Sequence, residues 1–440
     1  MTNKLPDIVS VVFSFLNENT EYAVLRNYEG LPYHNNSRDI DIAIEKKEWI
    51  KIRKPLVDLI QQCGWKIVTY LQSDRLQTLV CGIVREDKTI DLVQFDFFYH
   101  TSVFGLVLVE NKDFLKHRVF NGEIYHVDKS YEFLDKYMYD RAVGAPYPDK
   151  YKRVRECAEN ETAVKAHVQQ VFGFNDLSKC DKASRKANLA AVLKWNFKRF
   201  GVGAIMNMLR FEYHHIKNYL YSNTGFSIGF TGPDGSGKTT VIDLLIDGLG
   251  DVFRKAHKYY HFRPSLFGNL GEVAHSAGLK KDVDRNYSDP HRGGKTGILS
   301  SLFRLGYYSI DYILGFWTKV KSETRISRLV IFDRYYTDII CDSRRTRIYL
   351  NPKFLYWFGK LFVPSLDYNI LLTASTDTIL SRKQELDKAG IEAINSKIEY
   401  LKTKKGYKKI LNEGTPQEAA CQILDYIFNE QHMKNIKRIK

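Results

Sequence analysis

Residues 226–240 read Phe-Ser-Ile-Gly-Phe-Thr-Gly-Pro-Asp-Gly-Ser-Gly-Lys-Thr-Thr. The apolar run Phe226, Ile228 and Phe230 leads into G-x-x-x-x-G-K-[ST] over Gly232–Thr239, and Val241, Leu244, Leu245 and Leu249 follow at helical spacing. Strand, glycine-rich turn and helix in that order build a phosphate cradle. Gly232, Gly235 and Gly237 reach backbone angles closed to other residues, so successive N–H groups can converge on one anion. The helix behind them adds the positive end of its dipole. ATP with Mg²⁺ is therefore the expected ligand. Lys238 is expected on the β- and γ-phosphates and Thr239 on the metal, with Asp234, Ser236 and Thr240 completing the cradle. A chance glycine turn would lack the flanking strand and helix.

Working outward, Arg328–Asp333 is an apolar strand that delivers Asp333 and Arg334 at its carboxyl end. Ligands of open α/β sheets bind at that end. Asp333 is expected to order a water on Mg²⁺ or accept a proton, and Arg334 to clamp an acceptor phosphate. A surface ion pair is the plainer alternative, and the position at the end of a buried strand weighs against it. Lys258–Pro264 reads as a second strand ending at Arg263, and Leu366–Thr373 as the last strand. A helix over Asp377–Gln384 carries Arg382 and Lys383, Ile391–Ile410 reads as a charged helix, and Pro416–Asn429 closes the domain. Residues 265–296 are glycine-rich and poorly periodic, and are expected to cover the substrate, with Asp289–Lys295 supplying phosphate-binding side chains. Residues 431–440 are expected to be a frayed basic tail.

The chain has 440 residues, enough for two domains with a connecting module. Its six cysteines lack metal or disulfide-framework spacing, which fits reduced thiols in the cytoplasm. No signal-like core or membrane-length apolar run is present. The net charge of +15 suits nucleic acid, membrane or polyanionic substrates alike and decides among none of them. Nucleic acid is not called for, since no basic reading module is recognisable.

Toward the N-terminus, Asp39-Ile40-Asp41-Ile42-Ala43-Ile44 alternates as a strand does, so Asp39 and Asp41 share a face. Carboxylates at i and i+2 can share a divalent cation; capping and solubilising a strand edge is the alternative. Between residues 129 and 223 helical spacing takes over, with basic residues interleaved. The stretch 186–220 fits either a bundle joining two domains or basic amphipathic helices on an anionic membrane.

Residues 18–130 resemble the nucleotidyltransferase superfamily through a strand, a polar turn and the Asp39–Asp41 pair. The resemblance implies a third carboxylate on a later strand, assigned to Asp96 with Asp91 as the second choice. Arg26-Asn27 replaces the family's glycine-rich turn. Residues 224–430 resemble thymidylate kinase and its relatives through GPDGSGKTT (232–240), Arg263, FDRYY (332–336) and Leu366–Leu386. That resemblance implies that the loop binds ATP, that Asp333, Arg334 and Arg263 address the acceptor, and that an arginine near the Arg382 position closes over the phosphoryl group; Arg382 or Lys383 is expected to stabilise charge in transit, and Tyr335 is a further candidate for the acceptor. The family's acceptor motif survives only as Phe262-Arg263-Pro264-Ser265, and Leu372-Thr373-Ala374 lacks the expected acid. The donor side is intact, and the acceptor need not be thymidylate.

The resulting expectation is an α/β architecture: a nucleotidyltransferase-like α+β domain over 1–130, a helical connector over 131–223, a P-loop kinase domain with a parallel sheet over 224–430, and the tail. The expected activity is ATP-dependent phosphoryl transfer. The expected partners are a nucleotide and an anionic small-molecule or glycan acceptor, and a sugar phosphate fits the pairing of modules seen beside bacterial surface-polysaccharide genes. Peripheral contact with the inner membrane face and a homodimer are compatible with the sequence. The alternatives are nucleotidyl transfer by Asp39, Asp41 and Asp96, or a non-catalytic nucleotide-dependent scaffold at the membrane.

Overall fold

The computed structural model describes residues 3–35, 37, 39–221, 224–249, 257–266, 296–326 and 328–439. The insertion expected over 265–296, with its Asp289–Lys295 cluster, lies outside the described residues except for its ends. The chain forms two units: Met1–Ile83, Asp91–Ser222 and Phe428–Lys440 in the first, Val84–Ile90 and Asn223–Ile427 in the second.

In the second unit a five-stranded sheet runs 258–261, 330–333, 227–231, 368–373, 407–411, and every neighbour pair is parallel. The three inner strands, Ser227–Thr231, Val330–Asp333 and Tyr368–Thr373, are buried at every residue. Helices cover a parallel sheet on both faces, so its inner strands are apolar runs without alternation. The loop strand Ser227–Thr231 lies at the centre, which brings Asp333 level with Phe230 in the adjacent strand.

One expectation is corrected here. Ile391–Ile410 is not one helix. The helix is Lys388–Lys402, and Tyr407–Leu411 is a fifth strand beside 369–373. As an edge strand it is half-exposed, so its lysines disguise it as helix surface. The four-residue break ends at Gly406, at φ 93°.

The first unit holds a seven-stranded mixed sheet in the order 118–120, 125–127, 22–24, 39–44, 90–98, 76–84, 66–72. Strand alternation divides its two faces. Ile40, Ile42 and Ile44 pack with the helices Ile8–Asn19 and Lys46–Gln62. Ala43 and Ala23 face the other way, toward the helices Lys129–Val143, Thr162–Phe172 and Arg185–Phe200. Residues 131–200 thus share a core with the sheet instead of standing apart as a connector. The helix Val202–Tyr221 buries only Ala204, and its Asn218 donates to the Gln72 carbonyl at 2.9 Å.

The segment expected to fray is also ordered. The helix Pro416–Ile439 runs through it. A bulge between Ile67 and Thr69 breaks the ladder of the outer strand. Asn435 Nδ2 donates to the Ile67 and Val68 carbonyls at 3.0 Å each, and the Ile67 N–H donates to His432 Nδ1 at 3.0 Å. Side chains supply the partners that the bulge removes.

Candidate functional site

The loop after Thr231 is shaped by what its neighbours forbid. A Cβ on Gly232 would lie 1.9 Å from the Leu372 carbonyl oxygen, so only glycine lets the two chains approach here. Gly235 and Gly237 sit at φ 87° and 85°, in the left-handed region. The helix Lys238–Leu249 starts at once, and the Val241 N–H donates to the Gly237 carbonyl at 3.1 Å. Gly232, Asp234, Gly235, Ser236, Gly237, Lys238, Thr239 and Thr240 therefore share one turn and the helix start behind it, with Thr239 and Thr240 exposed.

Lys238 is buried, and its Nζ donates to the Gly232 and Pro233 carbonyls at 2.9 Å each. Burial, reinforced by the neighbouring Arg334 charge, pushes its pKa down to about 8. An ammonium held only by carbonyls in such a place gains when an anion arrives. Ser236 is fully buried, and its Oγ has no hydrogen-bond partner.

Asp333 ends the adjacent strand. Tyr259 Oη donates to its Oδ2 at 3.2 Å, and His261 Nδ1 lies 3.5 Å from the same oxygen. Burial works to raise its pKa, yet His261, Lys238 and Arg334 outweigh burial and bring it down to about 2. The carboxylate is thus ionised at neutral pH, and its buried Oδ1 has no hydrogen-bond partner. That oxygen suits a metal-bound water, and the Thr239 hydroxyl stands at the helix start, so the donor set fits Mg²⁺.

Arg334 has φ 77°, a left-handed conformation that costs a non-glycine residue about 1 kcal/mol. Its backbone N–H donates to Phe230 O at 2.9 Å, and its guanidinium pairs with Asp234 and, at 2.9 Å, with Asp338. The other oxygen of Asp234 receives Arg345. The motif reading missed Arg345 and Asp338, which follow the Asp-Arg pair on short helical turns with no pattern of their own. It also missed Asn412, whose Nδ2 donates to the Ser236 carbonyl at 2.9 Å from just beyond the unrecognised fifth strand.

Three predicted residues stand differently from expectation. Arg263 is buried, pairs with the fully buried Asp311 at 2.9 Å and stacks 4.8 Å from the Tyr308 ring, which is an internal brace. Tyr335 is 2% exposed, and its hydroxyl donates to the Pro364 carbonyl at 2.9 Å, so its ring packs in the core. Arg382 donates to the Asn412 carbonyl at 2.9 Å and so supports the loop through Asn412.

A second cluster lies in the first unit. Asp41 and Asp96 are paired across adjacent parallel strands, and Asp39, Asp41 and Asp96 each bring a carboxylate oxygen within 4.8 Å of the others. Arg26 bridges Asp41 (2.8 Å) and Asp135 (2.8 Å). Apart from the Arg26 ion pair, neither Asp41 oxygen has a well-directed hydrogen bond. Burial first, then the charges of Asp39, Asp96 and Asp135, raise Asp41 to about 8 against the pull of Arg26. Burial likewise lifts Asp96 to about 6, although the Thr78 hydroxyl donates to it.

The strand, loop and helix from Ser227 to Leu249, with Asp333 on the neighbouring strand, define a phosphate-binding α/β unit of the P-loop class. No family model matches this chain, and no curated protein matches it in sequence. Among solved structures it is similar to thymidylate kinase from Ehrlichia chaffeensis, at 16% identity and a TM-score of 0.30, over 47% of this chain and 98% of that one. It is also similar to deoxyadenosine kinase from M. mycoides, at 17% identity and a TM-score of 0.28, over 46% of this chain and 98% of that one. At that overlap the functional reading rests on the residues of the site. No described helix is long and apolar enough to cross a membrane.

Proposed function

We propose that the second unit is an ATP-dependent phosphotransferase that passes the γ-phosphoryl group to an anionic acceptor, a nucleotide or a sugar phosphate. The observation that carries this reading is the pairing of a buried, carbonyl-held Lys238 with an ionised Asp333 whose Oδ1 is unbonded. Phosphoryl transfer asks mainly for positioning and for charge in fixed places. Lys238 and the loop amides bind the donor phosphates. Arg334 holds the acceptor anion once Asp234 yields it, and Asp333 orders a water or takes the acceptor proton. Mg²⁺ would supply charge neutralisation between the transferring phosphates, held by Thr239 and, through water, by Asp333.

The test is ADP formation from Mg·ATP across a panel of nucleoside monophosphates and sugar phosphates. At least one acceptor is expected to raise turnover well above background, with Lys238→Met lowering it about 10³-fold or more. Turnover unaffected by Lys238→Met sinks the proposal.

The cluster of three carboxylates, with Asp41 and Asp96 buried, favours a second reading for the first unit. Asp39, Asp41 and Asp96 would bind a divalent cation and support nucleotidyl transfer. Pyrophosphate release that vanishes in Asp41→Asn tests it, and pyrophosphate absent from the native protein with every nucleoside triphosphate and acceptor removes it.

A further inference from the structure

The helix Pro352–Phe362 is built the wrong way round for a helix that serves only the core. Leu355 and Gly359 face inward, and the Tyr336 hydroxyl donates to the Leu355 carbonyl at 2.8 Å, which fixes the helix to the unit. Outward it presents Phe354 (46% exposed), Trp357 (54%), Leu361 (72%) and Phe362 (57%). A helix that is apolar all round is normally buried.

The polar residues of this face are all of one sign. Lys353 and Lys360 flank Trp357, and the helix carries no carboxylate. Lys404 lies beside it, its Nζ 5.6 Å from the Tyr356 ring. A cavity of about 540 Å³ opens behind the helix, where Lys360 and Lys405 share the lining with Leu361 and Phe362. None of these four lysines has an ion-pair partner among the described residues.

We propose that this helix docks the protein on an anionic bilayer surface, lying in the headgroup layer with Trp357 and Leu361 inserted and the lysines on lipid phosphates. Tryptophan favours that depth, and lysine stems can lie along apolar surface while their ammonium groups reach the phosphates. At 11 residues the helix is about 16 Å long, far short of the roughly 30 Å hydrocarbon core, so it lies in the interface and does not span it. A second copy of this chain is a poorer occupant. A two-fold contact would set Lys353 and Lys360 against the same lysines with no carboxylate on either helix to receive them.

The test is flotation of the full chain with vesicles of phosphatidylcholine alone and with about one-third phosphatidylglycerol. Binding to the anionic vesicles is expected. Each lysine near such a surface is worth about 1 kcal/mol, or about fivefold, so Lys353→Gln/Lys360→Gln should weaken binding about 25-fold. Trp357→Ser/Leu361→Ser should weaken it at least about tenfold. Both pairs are exposed, and unchanged thermal melting will show that the fold is kept. Equal binding to both vesicle types overturns the proposal, as does native-like binding by either double variant. So does the absence of binding, and light scattering that shows a dimer dispersed by Trp357→Ser/Leu361→Ser would then assign the face to a second copy.

Discussion

Asn412 is the least conspicuous member of the candidate site and offers the sharpest test of its construction. Its Nδ2 donates to the Ser236 carbonyl at 2.9 Å, its backbone N–H donates to Thr373 O at 2.8 Å, and its carbonyl receives Arg382 at 2.9 Å. One residue therefore joins the phosphate loop, the last inner strand and the helix that ends at Arg382, its side chain holding the loop and its backbone the other two. In Asn412→Ala the buried Ser236 carbonyl loses its donor, which costs about 1–3 kcal/mol. For a unit of this size the melting temperature should fall about 2–4 °C for each kcal/mol. If the cost falls on the loop's ordered state, apparent nucleotide affinity drops by the same free energy, about 5- to 150-fold. Asn412→Asp keeps the volume but replaces the donor with an acceptor, and should be at least as damaging. Calorimetric titration of Mg·ATP, with melting recorded with and without nucleotide, reads both quantities. Native-like affinity together with native-like melting in Asn412→Ala would refute the brace.

The Gly232 contact predicts that Gly232→Ala is destabilising by about 1–3 kcal/mol or more, because its Cβ would meet the Leu372 carbonyl at 1.9 Å. Gly306→Ala, in the interior of the helix Ile298–Gly315 with nothing within 4 Å of its Cβ, should instead stabilise by about 0.5–1 kcal/mol; urea melts of the two variants check the opposite signs. Arg345→Ala removes one of the two cations on Asp234, and hydrogen bonds to charged groups are worth about 1.5–3 kcal/mol, so a loss of that order in a denaturant melt is expected, with part of it restored by Arg345→Lys. Burial holds His432 below its ordinary 6.5, so above that value the group is neutral in both states and its contribution is complete. Between 6.5 and the depressed folded value the unfolded chain binds more protons, and the contribution is lost as pH falls through that window. Hydrogen exchange over 428–439 should therefore speed up between pH 7.5 and 5 relative to intrinsic rates, and His432→Ala should flatten the response.

What was legible in the sequence was local. Glycines and a lysine at fixed spacing announce a phosphate loop because backbone angles and reach are properties of a few consecutive residues. Period-two alternation announces Asp39 and Asp41 on one face for the same reason. What escaped was made by chain segments far apart. Arg345 and Asn412 reach the loop from more than a hundred residues away, and nothing near either position marks it. Tyr407–Leu411 carries lysines because an edge strand faces water, so its surface reads as a charged helix. Tyr335 follows the Asp-Arg pair directly, yet a turn begins there and swings the ring into the core. Proximity in sequence to a functional pair is no measure of where a side chain points.

The residues that mend the bulge at Ile67 and Thr69 are made long after the strand itself. His432 and Asn435 leave the ribosome hundreds of residues after the strand they complete. Until then the Ile67 N–H and the carbonyls of Ile67 and Val68 must be satisfied by water or by a chaperone. A chain cut a few residues before Gln431 would leave the outer edge of the first unit's sheet open at a strand hundreds of residues earlier in the sequence.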